Sequence, residues 1–194
     1  ALGVALLVWP EWGCDPLTAS EIGLSNVFHV QFGTVALVFE GIMFFVFLFV
    51  RKDLVHLGTL AWCFLIGPFE NLWLGILDPI LPVASEMSVG LKIVCILLGS
   101  AIIIVTLAYY IPIGLGYQTS DIFAFIAADI VKKSYGIGLI ISYAILFVIG
   151  VALGSSWGIG TLIAVVAYGP IIDRLMVIFE PFSFAVAGMT KEDK

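Results

Sequence analysis

The segment Gly58-Thr59-Leu60, followed by Gly67-Pro68, recurs 102 residues later as Gly160-Thr161-Leu162, followed by Gly169-Pro170. Both copies have the same internal spacing and lie within long apolar runs. Recurrence over such a distance predicts that the chain is built from two related halves. We place these halves at residues 1–80 and 88–180, followed by a tail of residues 181–194.

The composition indicates that the lipid bilayer is the solvent of this chain. Of its 194 residues, 62% are hydrophobic and only 11% are charged, whereas soluble domains average about 25% charged residues. The apolar segments use up nearly the whole length, which leaves no room for a soluble catalytic or nucleic-acid-binding domain. We therefore predict a single all-α transmembrane domain over residues 1–194, with the bilayer as its partner and no nucleic acid.

Six apolar segments are candidate transmembrane helices. A span needs about 20 residues, so five segments are long enough, whereas the first ends at Pro10 and is too short. We expect further residues upstream of Ala1, with a removed signal peptide as the weaker explanation. The predicted spans are residues 1–10, 33–50, 58–77, 88–111, 136–153 and 159–179.

Three spans in each half would insert the second half upside down relative to the first. The distribution of basic residues supports this inverted arrangement, because lysine and arginine concentrate in cytoplasmic loops. Of the eight basic residues, Lys92 alone falls on the opposite side. The sequence thus predicts a multi-pass cell-membrane protein with both termini cytoplasmic and seven inner basic residues: Arg51, Lys52, Lys132, Lys133, Arg174, Lys191 and Lys194.

Each half is predicted to carry a short capped helix after its first span. In the first half, Asp15 fits an N-cap, Pro16 the first helical position, and Thr18 to Glu21 the spacing of a capping box. In the second half, Thr119 or Ser120 can cap. These helices lie either along the membrane interface or as re-entrant segments, and an inward helix N-terminus would attract anions.

Two prolines fall near the predicted bilayer midplane, about ten residues into the third and sixth spans. Pro68 and Pro170 each remove a backbone donor, and the preceding Gly67 and Gly169 allow a neighbouring helix to approach closely. We interpret these positions as helix breaks whose freed carbonyl groups coordinate cations or substrate. The alternative is a packing kink without a ligand.

Carboxyl groups within the predicted spans are the second functional signal, because charges at bilayer depth are costly and usually face a cavity. Glu40 lies in the second span, and Glu70 with Asn71 follows Pro68 in the third. The repeat counterpart of Glu40 is Tyr143. For Glu40, a neutral, hydrogen-bonded core carboxyl and a role in proton coupling or cation binding are both consistent with the sequence.

Other conspicuous residues do not indicate chemistry. His29 and His56 are isolated in loops, so we predict no metal site. The three cysteines are consistent with small apolar core residues. Because nucleotide-binding, metalloprotease and nucleophile-elbow motifs are absent from the sequence, we predict neither an enzyme nor a cofactor.

The glycine-rich motifs of this chain resemble those of the YczE-like membrane proteins, which are relatives of the YitT-like group. The resemblance covers nearly the whole chain and implies an uncharacterised membrane protein or a transporter. Thr18 departs from the resemblance, since an acid is expected there, whereas Asp121 retains the acid in the second half. The matching segments are Gly3 to Leu6, Gly13, Asp15-Pro16, Phe32 to Thr34, Arg51-Lys52, Gly58 to Pro68 and Gly160 to Asp173.

The sequence therefore predicts a small secondary transporter, or a substrate-binding membrane subunit, that works by alternating access and is coupled to protons or cations. The alternative is a non-transporting scaffold or accessory protein. The substrate is an unknown small molecule or ion, and small-residue faces such as Gly150 to Gly154 fit packing within one bundle or within a homo-oligomer. The candidate binding residues are Asp15, Thr18, Glu40, Glu70, Asn71, Gln118, Thr119, Asp121 and Tyr143.

Overall fold

The computed structural model describes residues 1–188, and within them the chain is helical and contains no strand. A short 3-10 turn at Ile111–Ile113 continues the fifth helix. The α-helices, in chain order, are α1 (Leu2–Val8), α2 (Pro16–Phe28), α3 (Phe32–Val50), α4 (Leu57–Leu77), α5 (Val89–Tyr110), α6 (Thr119–Val131), α7 (Tyr135–Ala152) and α8 (Ile159–Ala187).

Five of these helices are long and apolar enough to cross a bilayer, namely α3, α4, α5 with its 3-10 turn, α7 and α8. They correspond to the five full-length spans predicted above. The first predicted span is represented by α1, which has seven residues and is only about 10 Å long at 1.5 Å per residue. The chain is therefore an all-helical, multi-pass membrane protein with five candidate spans in its described part.

The last helix extends further than the sequence predicts. α8 continues through Pro181 to Ala187, whereas the predicted span ended at residue 179. The Ser183 hydroxyl donates hydrogen bonds to the backbone carbonyls of Tyr109 and Phe179, which ties this extra part of α8 to α5. Residues 189–194 of the predicted tail, with Lys191 and Lys194, lie outside the described residues.

Both predicted short helices are present, and each has 13 residues. Asp15 caps α2 as predicted, since its Oδ1 accepts a hydrogen bond of 3.2 Å from the Thr18 backbone N–H. The predicted capping box from Thr18 to Glu21 is wrong, because both residues lie inside the helix and are buried. The predicted cap of α6 is also wrong: Gln118 is the N-cap residue, and the Thr119 hydroxyl instead donates to Glu40.

The proline-containing helices are not interrupted. α4 and α8 continue through Pro68 and Pro170, so the predicted helix breaks are absent from these two helices. The predicted close approach of a neighbouring helix is present instead. A Cβ added to Gly67 would overlap the carbonyl oxygen of Gly33 in α3, and a Cβ added to Gly169 would overlap that of Gly136 in α7.

A side chain completes each of these helix crossings. The Gly33 N–H donates to Asn71 Oδ1 at 3.1 Å, and the Gly136 N–H donates to Asp173 Oδ1 at 2.8 Å. Each N–H lies in the first turn of its helix, where backbone donors lack an intrahelical partner. The two crossings are thus alike and are separated along the chain by the same displacement as the sequence repeat.

Contacts between the two halves recur in the same way. The Gly160 N–H at the start of α8 donates to the Trp12 carbonyl at 3.0 Å. The Gly58 N–H at the start of α4 donates to the Leu115 carbonyl at 2.8 Å. In each case the loop before one short helix holds the first turn of a long helix from the other half. The buried core lies where α7 packs against α2, α6 and α8, and where α5 packs against α8.

We predict that Gly67→Ala destabilises the protein by about 1–3 kcal/mol, because the added methyl group forces α3 and α4 apart at a backbone contact. Gly75→Ala in the same helix is the matched control, since a Cβ there meets no atom within 4 Å. The measurement is the thermal unfolding midpoint in detergent, followed by tryptophan fluorescence. Equal midpoints for the two variants would contradict the crossing described here.

Candidate functional site: a central acidic cavity

A cavity of about 80 Å³ lies at the centre of the bundle and is lined by residues of both predicted halves. Its most unusual feature is a set of four acidic residues, each at most 6% exposed. They come from the loop before α2, from α2 itself, from α3 and from α4. These residues are Asp15, Glu21, Glu40 and Glu70.

Two of these carboxyl groups have an oxygen without a hydrogen-bond partner. Asp15 uses Oδ1 to cap α2, whereas its Oδ2 is buried and unpaired within the described structure. Glu70 Oε2 is likewise buried and unpaired. Because a buried polar atom without a partner costs about 1–3 kcal/mol, and more when charged, the folded protein retains two acceptors that a ligand can satisfy.

The surroundings of Asp15 and Glu21 favour their neutral forms. Burial raises the pKa of the Asp15 carboxyl above its usual range, although the hydrogen bonds from Thr18 oppose this effect. Burial also raises the pKa of Glu21 strongly, and the negative charges of Glu70 and Glu40 add to the increase. A bound cation would counteract both effects, because it favours ionised carboxylates.

Glu40 differs from the other acids because its carboxyl group is already hydrogen-bonded. Its Oε2 accepts a bond of 3.4 Å from the Cys63 thiol of α4 and another from the Thr119 hydroxyl of α6. Glu40 therefore connects three helices. Of the two sequence interpretations of Glu40, the geometry agrees with a hydrogen-bonded core carboxyl that also borders the cavity.

Asp121 lies behind the cavity and does not line it. Its carboxylate accepts hydrogen bonds from the Tyr110 hydroxyl, from the Tyr135 hydroxyl at 2.7 Å and from Gln118 Nε2 at 3.1 Å. Gln118 does line the cavity. Asp121 therefore acts as a positioning residue that fixes the orientation of the Gln118 carboxamide.

The structure separates the remaining predicted residues into two groups. Thr18, Gln118 and Tyr143 line the cavity with the acids. Asn71 and Thr119 are not among the lining residues. Asn71 lies at the α3–α4 crossing, and Thr119 donates to Glu40. The prolines and the carbonyl groups predicted to be freed by them are not among the lining residues either.

The sequence analysis missed four polar residues of the cavity wall: Glu21, Trp62, Thr106 and Ser120. Asp15, Thr18 and Glu21 are spaced three residues apart, which places them on one side of a helix. This spacing is visible in the sequence and indicates a shared helix face, but Thr18 to Glu21 was interpreted as a capping box instead. Trp62 has no comparable signal, because aromatic residues are common in membrane spans.

Repeat-equivalent positions meet at this cavity. Asp15 and Gln118 are separated by 103 residues, as are Glu40 and Tyr143, and all four line the same space. The four acids of the wall therefore come from the first half, while neutral polar groups occupy the positions that match Asp15 and Glu40 in the second. No lysine, arginine or histidine side chain is among the described residues that line the cavity.

A larger apolar cavity of about 500 Å³ adjoins the acidic one. The two cavities share Ala1, Trp62, Ile66, Thr106 and Gln118.

Comparison with known proteins identifies a family without a described activity. Residues 1–177 match the family model DUF6198, a family of unknown function. No curated protein and no solved structure matches the chain. The functional interpretation therefore depends on the geometry of the site.

We predict that Asp121 makes the stability of the protein depend on pH. Burial raises its pKa to about 6, despite the hydrogen bonds from Tyr110 and Tyr135, whereas an unfolded aspartate titrates near 3.9. Between these values the folded state binds more protons, so stability falls as pH rises from about 4 to 6, by on the order of 1–3 kcal/mol. Asp121→Asn should remove this contribution.

The test compares thermal unfolding midpoints of the wild-type and Asp121→Asn proteins in detergent between pH 4 and 8. The difference between the two midpoints should change across the window from pH 4 to 6 and stay constant above it. Asp78→Asn, which alters an exposed carboxyl group, should give a profile parallel to that of the wild type. A parallel profile for Asp121→Asn would show that this carboxyl does not titrate in that window.

Proposed function

The chain belongs to the DUF6198 family, and from the geometry of its central cavity we propose that it is a small secondary transporter or a substrate-binding membrane subunit. It works by alternating access and is coupled to protons or cations. The observation that carries this proposal is the set of four buried acids around one cavity, two of them with an unpaired oxygen. Ionisable groups within a membrane protein commonly mark ion or substrate pathways.

The proposed architecture is a pair of inverted three-span repeats, with α1 as the described part of the first span. Three observations support this arrangement: the matching crossings of α3 with α4 and of α7 with α8, the exchanged loop contacts, and the equivalent positions that face one cavity. In transporters built from inverted repeats, the substrate site lies where the repeats meet. The acidic cavity fits that location.

An ion pair supports the proposed orientation in the cell membrane. Arg51 follows α3 and donates to Asp129 near the end of α6 at 2.8 Å, in addition to its pair with Asp53 at 2.9 Å. This contact brings the loop with Arg51 and Lys52 close to the loop with Lys132 and Lys133. Both loops carry basic residues, as expected for the cytoplasmic side, and both termini would lie on that side.

In this mechanism the acids alternate between a ligand-bound and a protonated state. Asp15 and Glu70 hold the cation when the cavity is occupied. When the cation leaves, protonation neutralises the carboxylates, because two bare charges in a buried site would cost several kcal/mol each. Neutralising both carboxylates takes two protons for each monovalent cation released, so the exchange moves one net charge across the membrane per cycle and produces a current.

A non-transporting scaffold remains the alternative function, and it does not account for the unpaired carboxyl oxygens. The resemblance to the YczE-like and YitT-like proteins stays a prediction, because the DUF6198 description carries no activity. A scaffold would co-purify with a partner protein and would produce no solute-dependent current. Transport can therefore be tested directly on the purified chain.

We predict protein-dependent currents when proteoliposomes on a solid support receive concentration jumps of Na⁺, K⁺, alkylamines or amino acids at pH 6 and pH 8. At least one of these solutes should produce a current, and Glu70→Gln should reduce it at least tenfold because the cation loses a charged ligand. Glu86→Gln, in the exposed loop before α5, is the matched control and should retain the full amplitude. The proposal fails if no solute produces a current, or if Glu70→Gln leaves the current unchanged.

A further inference from the structure

The sign of the ligand charge follows from the two short helices. The sequence alone does not decide whether the ligand is a cation or an anion, since acidic residues favour cations whereas inward helix N-termini favour anions. In the structure, the N-terminus of α2 is capped by Asp15, and the first turn of α6 contains Asp121. Each N-terminus therefore already has a carboxyl group of the protein, and neither is free to take an anion.

We propose that the ligand of the acidic cavity is a small organic cation with a primary ammonium group, bound between Asp15 Oδ2 and Glu70 Oε2. This inference rests on the proposed transport function and specifies its substrate class. The two oxygens are buried, unpaired and located on different elements of the first half. An ammonium group has three N–H donors, so it can bond to both oxygens and still donate to a third group.

A bare metal ion fits this arrangement less well than an ammonium group. Metal ions need several oxygen ligands at short distances around one point. Among the described residues, no group of three or more acidic, histidine or cysteine side chains is arranged to hold a metal ion. An ammonium group tolerates two separated acceptors, because each N–H forms its own hydrogen bond.

The size and the wall of the cavity limit the rest of the ligand. A volume of about 80 Å³ holds roughly five water-sized positions, which suits a cation of a few non-hydrogen atoms. Trp62 and Tyr143 supply aromatic surface, on which an organic cation is stabilised, and Ile66 and Leu107 supply apolar surface. Gln118, held by Asp121, offers a carboxamide for a polar group of the ligand.

The charge asymmetry of the cavity orients this ligand. Asp15, Glu21, Glu40 and Glu70 all belong to the first half, whereas the polar groups that the second half contributes to the wall are neutral. The ammonium group therefore points toward α2 and α4. The organic part lies toward α5 and α7.

The test is a binding measurement by calorimetry on the detergent-purified chain. The probes are ethylammonium, tetramethylammonium, ethanol and Na⁺. We expect ethylammonium to bind at least tenfold more tightly than tetramethylammonium, which lacks N–H donors, and ethanol, which lacks charge, to show no binding.

Two variants connect the binding to the proposed pair of oxygens. Glu70→Gln and Asp15→Asn should each weaken ethylammonium binding at least tenfold, while Glu86→Gln should not change it. Asparagine caps helices as well as aspartate does, so Asp15→Asn keeps α2 intact. If the unfolding midpoints of both variants equal that of the wild type, the binding measurements report on folded protein.

The outcomes separate this inference from the transport proposal. No binding of ethylammonium, or binding that neither variant weakens, overturns the inference. Glu70-dependent currents driven by Na⁺ without ethylammonium binding also overturn it, while the transport proposal stands. Ethylammonium binding that depends on Asp15 and Glu70, in a protein that produces no current with any solute, supports the inference and overturns transport.

Discussion

Backbone contact between consecutive helices is the constraint on which the rest of the structure depends. Gly33 and Gly67 bring α3 and α4 together, and Asn71 accepts a hydrogen bond from the Gly33 N–H, which has no intrahelical partner in the first turn of α3; α7 and α8 repeat the arrangement. A contact this close fixes the rotation of each helix about its own axis. Residues seven positions apart share a helix face, so the same contacts direct Glu40 and Tyr143 toward the centre of the bundle. The site is therefore a consequence of helix packing that is duplicated along the chain.

Sequence reasoning reached the all-helical membrane class and the five full-length spans because its signals are periodic and local. Span length, loop charge and the recurring glycine motifs each need only a short window of residues. It identified Glu40 and Glu70 of the cavity wall for a related reason, since an acid in an apolar span usually faces the interior or a cavity. It could not separate Glu70 from Asn71, because adjacent residues on a helix point about 100° apart and only the position of the neighbouring helix decides which one faces the cavity. Thr119 was taken for a cap because its real partner, Glu40, is distant in sequence.

The two halves share a backbone plan but have diverged in chemistry. Asp15 corresponds to Gln118 and Glu40 to Tyr143, so every acid of the cavity wall lies in one half. Strict symmetry would have placed acids on both sides and left mutual repulsion between them as the dominant interaction. At the positions that match Asp15 and Glu40, a carboxamide and a phenol keep polar groups in the wall without adding charge. The cavity wall therefore differs in charge between the two predicted halves.

The contrast between Glu40 and Glu70 shows how one cavity can combine a fixed acid with an available one. Glu40 accepts bonds from Cys63 of α4 and Thr119 of α6, so its position depends on the relative placement of three helices. Glu70 has an unpaired oxygen, which leaves it free to respond to a ligand. Movement of α6 relative to α3 would break the bond between Thr119 and Glu40 and release a second acceptor into the cavity. The number of unpaired acceptors in the cavity would thus depend on helix placement through Glu40, which is what the proposed alternating access requires of a central site.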